Sequence, residues 1–255
     1  MLASQKITKA TLQNVGLCPP NAVYNWATTL VIAPHPDDET LCCGGAIALL
    51  RQMGYRVHVM ILADGANMHP RAEFMSPGEF RNLRRAETEH ALSKLGVSND
   101  SITFLNLADS LLPAKGEAGF EEVVRLCRNK IHDLKPDTIL APWRRDLHRD
   151  HRATWQITRQ ALIDEQLEDI NLVEYAVWAL YAENEHDLPT LEEVQPWRLD
   201  TKPVIEQKIA ALNAYQPSLN LIGNEDKAER AYSSEILSHF THPWELYLDQ
   251  NNGCC

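Results

Sequence analysis

The sequence predicts an α/β fold: a Rossmann-like, mostly parallel sheet with helices on both faces, in three layers. Strand-like apolar runs alternate with helix-like segments through the first two thirds of the chain. Parallel neighbouring strands need crossover connections, and these are usually right-handed helices, so the alternation itself points to such a sheet. The length of 255 residues and the hydrophobic content of 44% suffice for one sizeable core.

The predicted elements follow one another in a regular order. Apolar runs predict strands, and apolar residues three and four positions apart predict helices between them. Gly54 stops the first of these helices and Pro77 starts the second. Gly44 and Gly45 lie inside the first helix, so no dinucleotide-binding turn follows the first strand. The predicted strands span 28–33, 56–63, 101–105, 138–141 and 172–180, and the predicted helices span 39–53, 77–95, 119–134, 151–166, 204–215 and 227–239.

We expect a single domain that spans residues 1–255. Residues 1–24 form an N-terminal extension in this prediction. Residues 181–255 are expected to add C-terminal elements, an edge element among them, that form a wall of the active-site cleft. The acidic stretch 183–193 is either a flap over the cleft or a solvated surface.

Charge and hydropathy exclude several classes of protein. The formal net charge is −11 and the sequence pI is about 5.4, whereas a nucleic-acid-binding protein needs a basic face. The sequence holds no apolar stretch of the about eighteen residues that a membrane span needs, and residues 1–16 lack the apolar core of a signal peptide. We therefore expect a cytoplasmic protein that binds a small, neutral molecule. A homo-oligomer is allowed by this composition.

Metal-ligating side chains are concentrated in two segments. Residues 33–39, with the sequence APHPDDE, put one imidazole and three carboxylates directly after the first predicted strand. Residues 148–151, with the sequence HRDH, follow the fourth predicted strand and add two imidazoles. In the common doubly wound strand order the first and fourth strands are neighbours, so both segments are expected to meet at one crevice.

The residue types in these segments favour a hydrolytic zinc centre. Catalytic zinc takes three nitrogen or oxygen ligands and keeps one position for water, and His35, Asp38 and His151 supply that set. Asp37 lies beside the ligands and is the predicted general base, which takes a proton from zinc-bound water and later returns it to the leaving group. Iron(II) is the alternative metal, because this ligand set accepts either ion.

His148 is the predicted second catalytic group. It lies one helical turn before His151, where an imidazolium would stabilise a tetrahedral oxyanion. Asp150 or Asp146 would orient its ring, and Asp150 is therefore counted among the catalytic residues. Glu39 is expected to cap the start of the first helix instead.

The two segments resemble the signatures of a known family, the PIG-L/LmbE-like zinc-dependent N-deacetylases: (A/P)-H-P-D-D-E, followed much later by H-x-D-H. The resemblance covers most of the first 155 residues and implies the same ligand, base and oxyanion roles as above. It also implies that Arg84, in an R-x-x-E context with Glu87, contacts substrate hydroxyls.

This resemblance implies a zinc-dependent hydrolase that removes the N-acetyl group from a 2-acetamido sugar, such as N-acetylglucosamine attached to a lipid, inositol, another sugar or a small thiol carrier. The expected partner is then a small N-acetylated sugar conjugate. Three alternatives stay open. They are hydrolysis of another amide in a sugar or thiol conjugate, a non-haem Fe(II) oxygenase, which shares the H-x-D pattern with a distant His, and non-catalytic binding of a metal or carbohydrate.

Overall fold

Eight strands form one sheet in the computed structural model, which describes residues 7–67, 75–167, 170–182, 184–218 and 238–249. The strands are β1 (Leu17–Cys18), β2 (Thr29–Ala33), β3 (Val57–Ala63), β4 (Ile102–Leu107), β5 (Thr138–Pro142), β6 (Asn171–Tyr175), β7 (Gln195–Asp200) and β8 (Trp244–Asp249). Their order across the sheet is β1-β7-β8-β6-β5-β2-β3-β4. Neighbours are parallel except in the two pairs that involve β8. The predicted mostly parallel sheet is confirmed.

Six α-helices are described in full: α1 (Lys9–Asn14), α2 (Asp38–Gln52), α3 (Pro77–Lys94), α4 (Phe120–Leu134), α5 (Arg149–Asp164) and α6 (Ile205–Leu212). One face of the sheet packs against α2, α3 and α6, and the other packs against α4 and α5. Strand β2 serves both cores, because Val31 and Ala33 point to the first face while Leu30 and Ile32 point to the second. The three predicted layers are therefore present. Among the described residues, no helix has the length and apolar composition to cross a membrane.

The central pair of strands brings the two motif segments together. Strand β2 pairs in parallel with β5, with Thr29 opposite Thr138 and Val31 opposite Leu140. Both strands are buried along their whole length. The predicted adjacency of the first and fourth strands of the motif-bearing region is confirmed. The loops that leave their carboxyl ends begin at the same edge of the sheet, where open α/β sheets bind ligands.

The two ends of the chain differ from the prediction. Residues 17–18 form β1, which pairs with β7, so the N-terminal segment joins the sheet rather than extending from it. Strand β8 lies between β6 and β7 instead of at an edge, and it pairs antiparallel with both. The strand predicted over 172–180 ends at Tyr175, whose partner Pro142 is the last residue of β5. The helix predicted over 227–239 lies, except for its last two residues, outside the described residues.

Helix α2 approaches the neighbouring backbone closely at a glycine. A Cβ atom at Gly45 would lie 2.4 Å from Cγ2 of Thr201. The amides of Gly45 and Ala46 donate to the two carboxylate oxygens of Glu245, at 2.6 and 2.9 Å. Glycine at position 45 therefore lets α2 lie against the end of β7 and the start of β8.

Replacing this glycine by alanine should strain the contact between α2 and Thr201. We expect Gly45→Ala to lower the free energy of unfolding by about 1–3 kcal/mol, because the added methyl group overpacks the contact with Thr201. The measurement is urea unfolding followed by circular dichroism. Gly78→Ala, in the first turn of α3, is the matched control, since a Cβ there has no heavy atom within 4 Å. Equal stabilities for the two variants would show that the close approach has no energetic consequence.

Candidate metal centre and active site

The loop after β2 carries the first motif in a strained conformation. Asp37 has φ 119° and ψ −31°, a region that residues other than glycine rarely occupy. Its amide donates to Oε2 of Glu39 at 2.9 Å, so Glu39 satisfies a free amide at the start of α2, as predicted. The hydroxyl of Tyr215 also donates to Glu39. Strain of this kind persists only where surrounding contacts hold it, and it is concentrated at functional sites.

The second motif begins helix α5. His148 is the N-cap, and its Nδ1 accepts a hydrogen bond from the amide of Asp150 at 3.2 Å. Asp146 holds the preceding loop, since Oδ1 accepts from the amide of His148 at 3.0 Å and Oδ2 accepts from the amide of Trp178 at 3.1 Å. The loop after β5 is thereby tied both to α5 and to the segment that follows β6.

The predicted metal ligands converge on one carboxylate oxygen. Oδ2 of Asp38 lies 3.2 Å from Nδ1 of His35 and 3.4 Å from Nε2 of His151. Asp38 and His151 are buried, and His35 is partly buried. Two donor atoms that each lie about 2.0–2.2 Å from the same metal ion would be separated by distances of this size. The geometry therefore fits a divalent ion between the three groups.

Carboxylates hold the outer nitrogen of each imidazole. Nε2 of His35 lies 3.2 Å from Oδ2 of Asp150, and Nδ1 of His151 lies 3.2 Å from Oδ1 of Asp146. Metal-binding histidines almost always have such a partner, which fixes the tautomer and increases the basicity of the ligand nitrogen. This arrangement is a second feature of the described residues that fits a metal ion.

Two groupings of possible metal-binding atoms surround His35, each with its atoms within 4.8 Å of one another. One consists of imidazole nitrogens of His35, His148 and His151, and the other of a nitrogen of His35 with carboxylate oxygens of Asp109 and Asp150. We favour His35, Asp38 and His151 as the ligand set because Asp38 supplies a negative charge between the two imidazoles. Nδ1 of His148, by contrast, already accepts a backbone hydrogen bond.

The same charges set the protonation of the predicted ligands. The pKa of Asp38 lies well below its usual range, because the imidazoles of His151 and His35 outweigh the effect of burial. Burial lowers the pKa of His151, but Asp38 and Asp146 more than compensate and raise it to about 9. A metal ion would bind the neutral imidazole of His151, so metal binding would release the proton from this ring.

Two predicted roles need correction. Burial lowers the pKa of His148 to about 4, and the nearby His151 acts in the same direction, so His148 is a neutral imidazole rather than an imidazolium. Since Nδ1 accepts the amide of Asp150, the proton lies on Nε2 and makes that atom a donor. Asp150 therefore contacts the ring of His148 through its backbone, and its carboxylate lies against His35 instead.

Arg84 is buried and holds the predicted base. Its Nη2 donates to Oδ2 of Asp37 at 2.6 Å and also to the carbonyl of Pro36, while Nη1 donates to Glu87 at 3.0 Å and to Ser218 at 2.7 Å. Burial raises the pKa of Asp37 to about 8, although the guanidinium of Arg84 opposes the shift. The predicted contact of Arg84 with substrate hydroxyls stays a prediction, because these bonds direct the guanidinium to the protein.

A family model described as PIG-L, GlcNAc-PI de-N-acetylase, matches residues 30–162, a range that holds both motif segments. The chain belongs to this family. It is 28% identical over 193 residues to the 4-oxalmesaconate hydratase of Pseudomonas putida, which covers 72% of this chain and 71% of that protein. It is 24% identical over 136 residues to the probable N-acetyl-α-D-glucosaminyl L-malate deacetylase 2 of Bacillus anthracis, which covers 52% and 58%.

The fold of this PIG-L family member is also found in solved structures. The N,N′-diacetylchitobiose deacetylase of Pyrococcus horikoshii superposes with a TM-score of 0.62 at 23% identity, over 86% of this chain and 79% of that one. This similarity places an alternating α/β architecture around the motif residues, whereas the alternative, a non-haem Fe(II) oxygenase, usually has a β-sandwich.

The cavity at this edge of the sheet has a volume of about 180 Å³. It includes Asp109, for which the sequence predicted no role. Oδ1 of Asp109 lies 3.3 Å from Nε2 of His35, and Oδ2 accepts from the amide of Asn67 at 3.2 Å. Asp109 follows β4 as Asp64 follows β3, so its place after a predicted strand was the available signal. The residues that line the cavity are His35, Asp37, Asp38, Leu41, Gly65, Arg84, Asp109, Ser110, His148, His151 and Trp178.

The outer carboxylates give a test of the metal centre. We expect Asp146→Asn to weaken zinc binding by about 10–100-fold, because His151 loses the charge that orients it and increases its basicity. Competition with a chelating dye measures the affinity. Asp137→Asn is the control, since Asp137 accepts from the amide of Thr28 at 2.9 Å, at the start of β5 and away from the cavity. An unchanged affinity in Asp146→Asn would contradict the assignment.

Proposed function

We propose that this PIG-L family member is a metal-dependent hydrolase that removes the N-acetyl group from a 2-acetamido sugar conjugate. The observation that carries the proposal is that His35 and His151 each place an imidazole nitrogen within 3.4 Å of one carboxylate oxygen of Asp38, with Asp37 in the same cavity. The description of the family and the deacetylase relative support the reaction. Hydrolysis of another amide in a sugar or thiol conjugate is the nearest alternative.

His35, Asp38 and His151 would hold zinc, with iron(II) as the alternative ion. The bound ion would polarise the amide carbonyl and lower the pKa of the attacking water. Asp146 and Asp150 keep the two imidazoles oriented for this task.

Asp37 would act as the general base and then as the general acid. Burial raises the pKa of Asp37 above the usual range of a carboxyl group, which helps the protonated form to return its proton to the leaving amine. Asp37 takes a proton from the water as the oxygen attacks the carbonyl carbon. The same proton then passes to the amide nitrogen as the carbon–nitrogen bond breaks, so acetate and the free amine leave. Arg84 holds the carboxylate in position for both transfers.

His148 would stabilise the oxyanion as a neutral donor. Nε2 carries the ring proton, because Nδ1 accepts from the amide of Asp150. A fixed donor directed at developing negative charge contributes to catalysis without a change in its own charge. The ring centroid of His148 lies 4.8 Å from that of His35 and 5.0 Å from that of His151.

Hydration is the second candidate reaction, because the 28% identical relative is a hydratase. Adding water to a double bond would use the same base and the same bound ion. The described lining residues, however, include three carboxylates and one arginine, whose guanidinium is paired with Asp37 and Glu87. This guanidinium is therefore already engaged by the protein, whereas a polycarboxylate substrate would need free cationic groups to bind its carboxylates.

Substitutions of the two aspartates of the first motif should have different effects on zinc binding and on acetate release. We expect Asp37→Asn to keep one zinc per chain and to lose about 10²–10⁴-fold in acetate release, because only the base is removed. Asp38→Asn should instead lose zinc affinity, because a ligand is removed. Metal analysis and acetate assays on both variants give the comparison. Full activity in Asp37→Asn would refute the role of the base.

Metal removal and a substrate panel test the reaction itself. Acetate release from N-acetylglucosamine derivatives should vanish after chelation and return with added zinc, since water activation depends on the ion. The same preparations are incubated with 4-oxalmesaconate. Metal-dependent consumption of that compound, without acetate release from any sugar, would favour the hydratase reaction instead.

A further inference from the structure

A short turn after α6 packs against α3, the helix that carries Arg84. Helix α6 continues into a 3₁₀ turn, Asn213–Tyr215, and Ser218 follows three residues later. Tyr215 is 2% exposed and Ser218 is fully buried. Neither side chain is among the described residues that line the catalytic cavity. Their hydroxyl groups nevertheless bond to residues that contact Asp37, and we call residues 213–218 the α6 turn.

Ser218 closes a ring of hydrogen bonds with Arg84 and Glu87. Nη1 of Arg84 donates to Oγ of Ser218 at 2.7 Å and to Oε2 of Glu87 at 3.0 Å. The amide of Ser218 donates to Oε1 of Glu87 at 2.6 Å. The hydroxyl proton of Ser218 is used in a bond to the carbonyl of Tyr215 at 3.1 Å, so its oxygen is free to accept from Arg84. Each bond of the ring thus fixes the direction of another.

The other terminal nitrogen of Arg84 holds the proposed base. Nη2 donates to Oδ2 of Asp37 at 2.6 Å and to the carbonyl of Pro36. The guanidinium also lies over the ring of Tyr215, with Cζ 5.2 Å from the ring centroid. Because a guanidinium is planar and rigid, contacts that fix Nη1 and one face also fix Nη2. The position of the Asp37 carboxylate therefore depends on Ser218.

Tyr215 reaches the same base by a second route. Its hydroxyl donates to Oε1 of Glu39, whose Oε2 accepts from the amide of Asp37 at 2.9 Å. Asp37 has φ 119°, a strained conformation that persists only where neighbouring contacts hold it. The α6 turn thus supports the side chain of Asp37 through Arg84 and its backbone through Glu39.

We propose that the α6 turn is a positioning element for the general base. Ser218 orients the carboxylate of Asp37 through Arg84, and Tyr215 holds the backbone of Asp37 through Glu39. This inference rests on the proposed function, since it assigns a role toward the base of that reaction. Loss of either hydroxyl should affect the chemical step more than substrate binding, because the two groups act on Asp37 from outside the catalytic cavity.

Two substitutions that each remove one hydroxyl test this role. We expect Ser218→Ala to lower kcat for acetate release by about 10–100-fold, because a displacement of about 1 Å is enough to cost such a factor. Tyr215→Phe should lower kcat by about tenfold, since Glu39 loses one hydrogen bond. In both variants KM should change by less than about twofold, and one zinc per chain should remain bound.

Thr158→Val is the matched control. Thr158 is fully buried on α5, and its hydroxyl donates to the carbonyl of Thr154 at 2.8 Å. The substitution removes a buried hydroxyl that has no bond to the residues around Asp37. It should therefore leave kcat within about twofold of the wild-type value.

A double-mutant cycle separates positioning from a general loosening of the fold. Ser218→Ala and Tyr215→Phe are each introduced into Asp37→Asn, and the residual kcat is measured. If the α6 turn acts through Asp37, neither substitution should change this residual rate by more than about twofold. A loss by the same factor in both backgrounds would overturn the inference, and so would an unchanged kcat in both single variants.

Crystal structures of the wild-type protein and of Ser218→Ala give a readout that needs no turnover. The Asp37 carboxylate should move by about 1 Å in the variant. An unchanged position of this carboxylate would overturn the inference. If the wild-type protein released no acetate from any sugar, the deacetylase proposal would fail, and the displacement of Asp37 alone would decide whether Ser218 positions it.

Discussion

The pairing of β2 with β5 is the constraint on which the candidate site depends. Three residue pairs between these buried strands set the register, among them Val31 opposite Leu140. A slip of one residue would exchange the side chains that β2 presents to the two cores, Val31 and Ala33 for Leu30 and Ile32, so close packing against the helices on both faces specifies the register. The loops that follow β2 and β5 therefore start from fixed positions relative to each other. His35 and His151, 116 positions apart in the chain, are consequently held against one carboxylate oxygen of Asp38.

The buried charges around the site are compensated by nearby groups of the protein. An isolated buried carboxylate is costly, so each one at this edge of the sheet has a partner. Asp37 is held by Arg84, and Glu245 by Lys208 and two amides of α2. Removing one member of such a pair leaves the other charge unpaired, which explains why these side chains act as a connected set. The result is a preorganised cavity in which the proposed base and ligands need little rearrangement.

Much of this arrangement could be predicted from the sequence, because it follows from local patterns. Apolar periodicity located the strands and helices that carry the motifs, and the strand order implied that the motifs meet. The position of β8 could not be predicted, since an antiparallel strand far along the chain can join the sheet at several places. The neutral state of His148 depends on burial and on neighbouring imidazoles. The contact of the Asp150 carboxylate with His35 depends on the orientation of α5.

We propose that His35, Asp38 and His151 bind one divalent ion. The most direct test is a crystal structure of the protein with one equivalent of zinc, with anomalous scattering measured at the zinc edge. We predict a single peak about 2.0–2.2 Å from Nδ1 of His35, a carboxylate oxygen of Asp38 and Nε2 of His151. A peak coordinated by His148 in place of Asp38, or no peak between these residues, would contradict it.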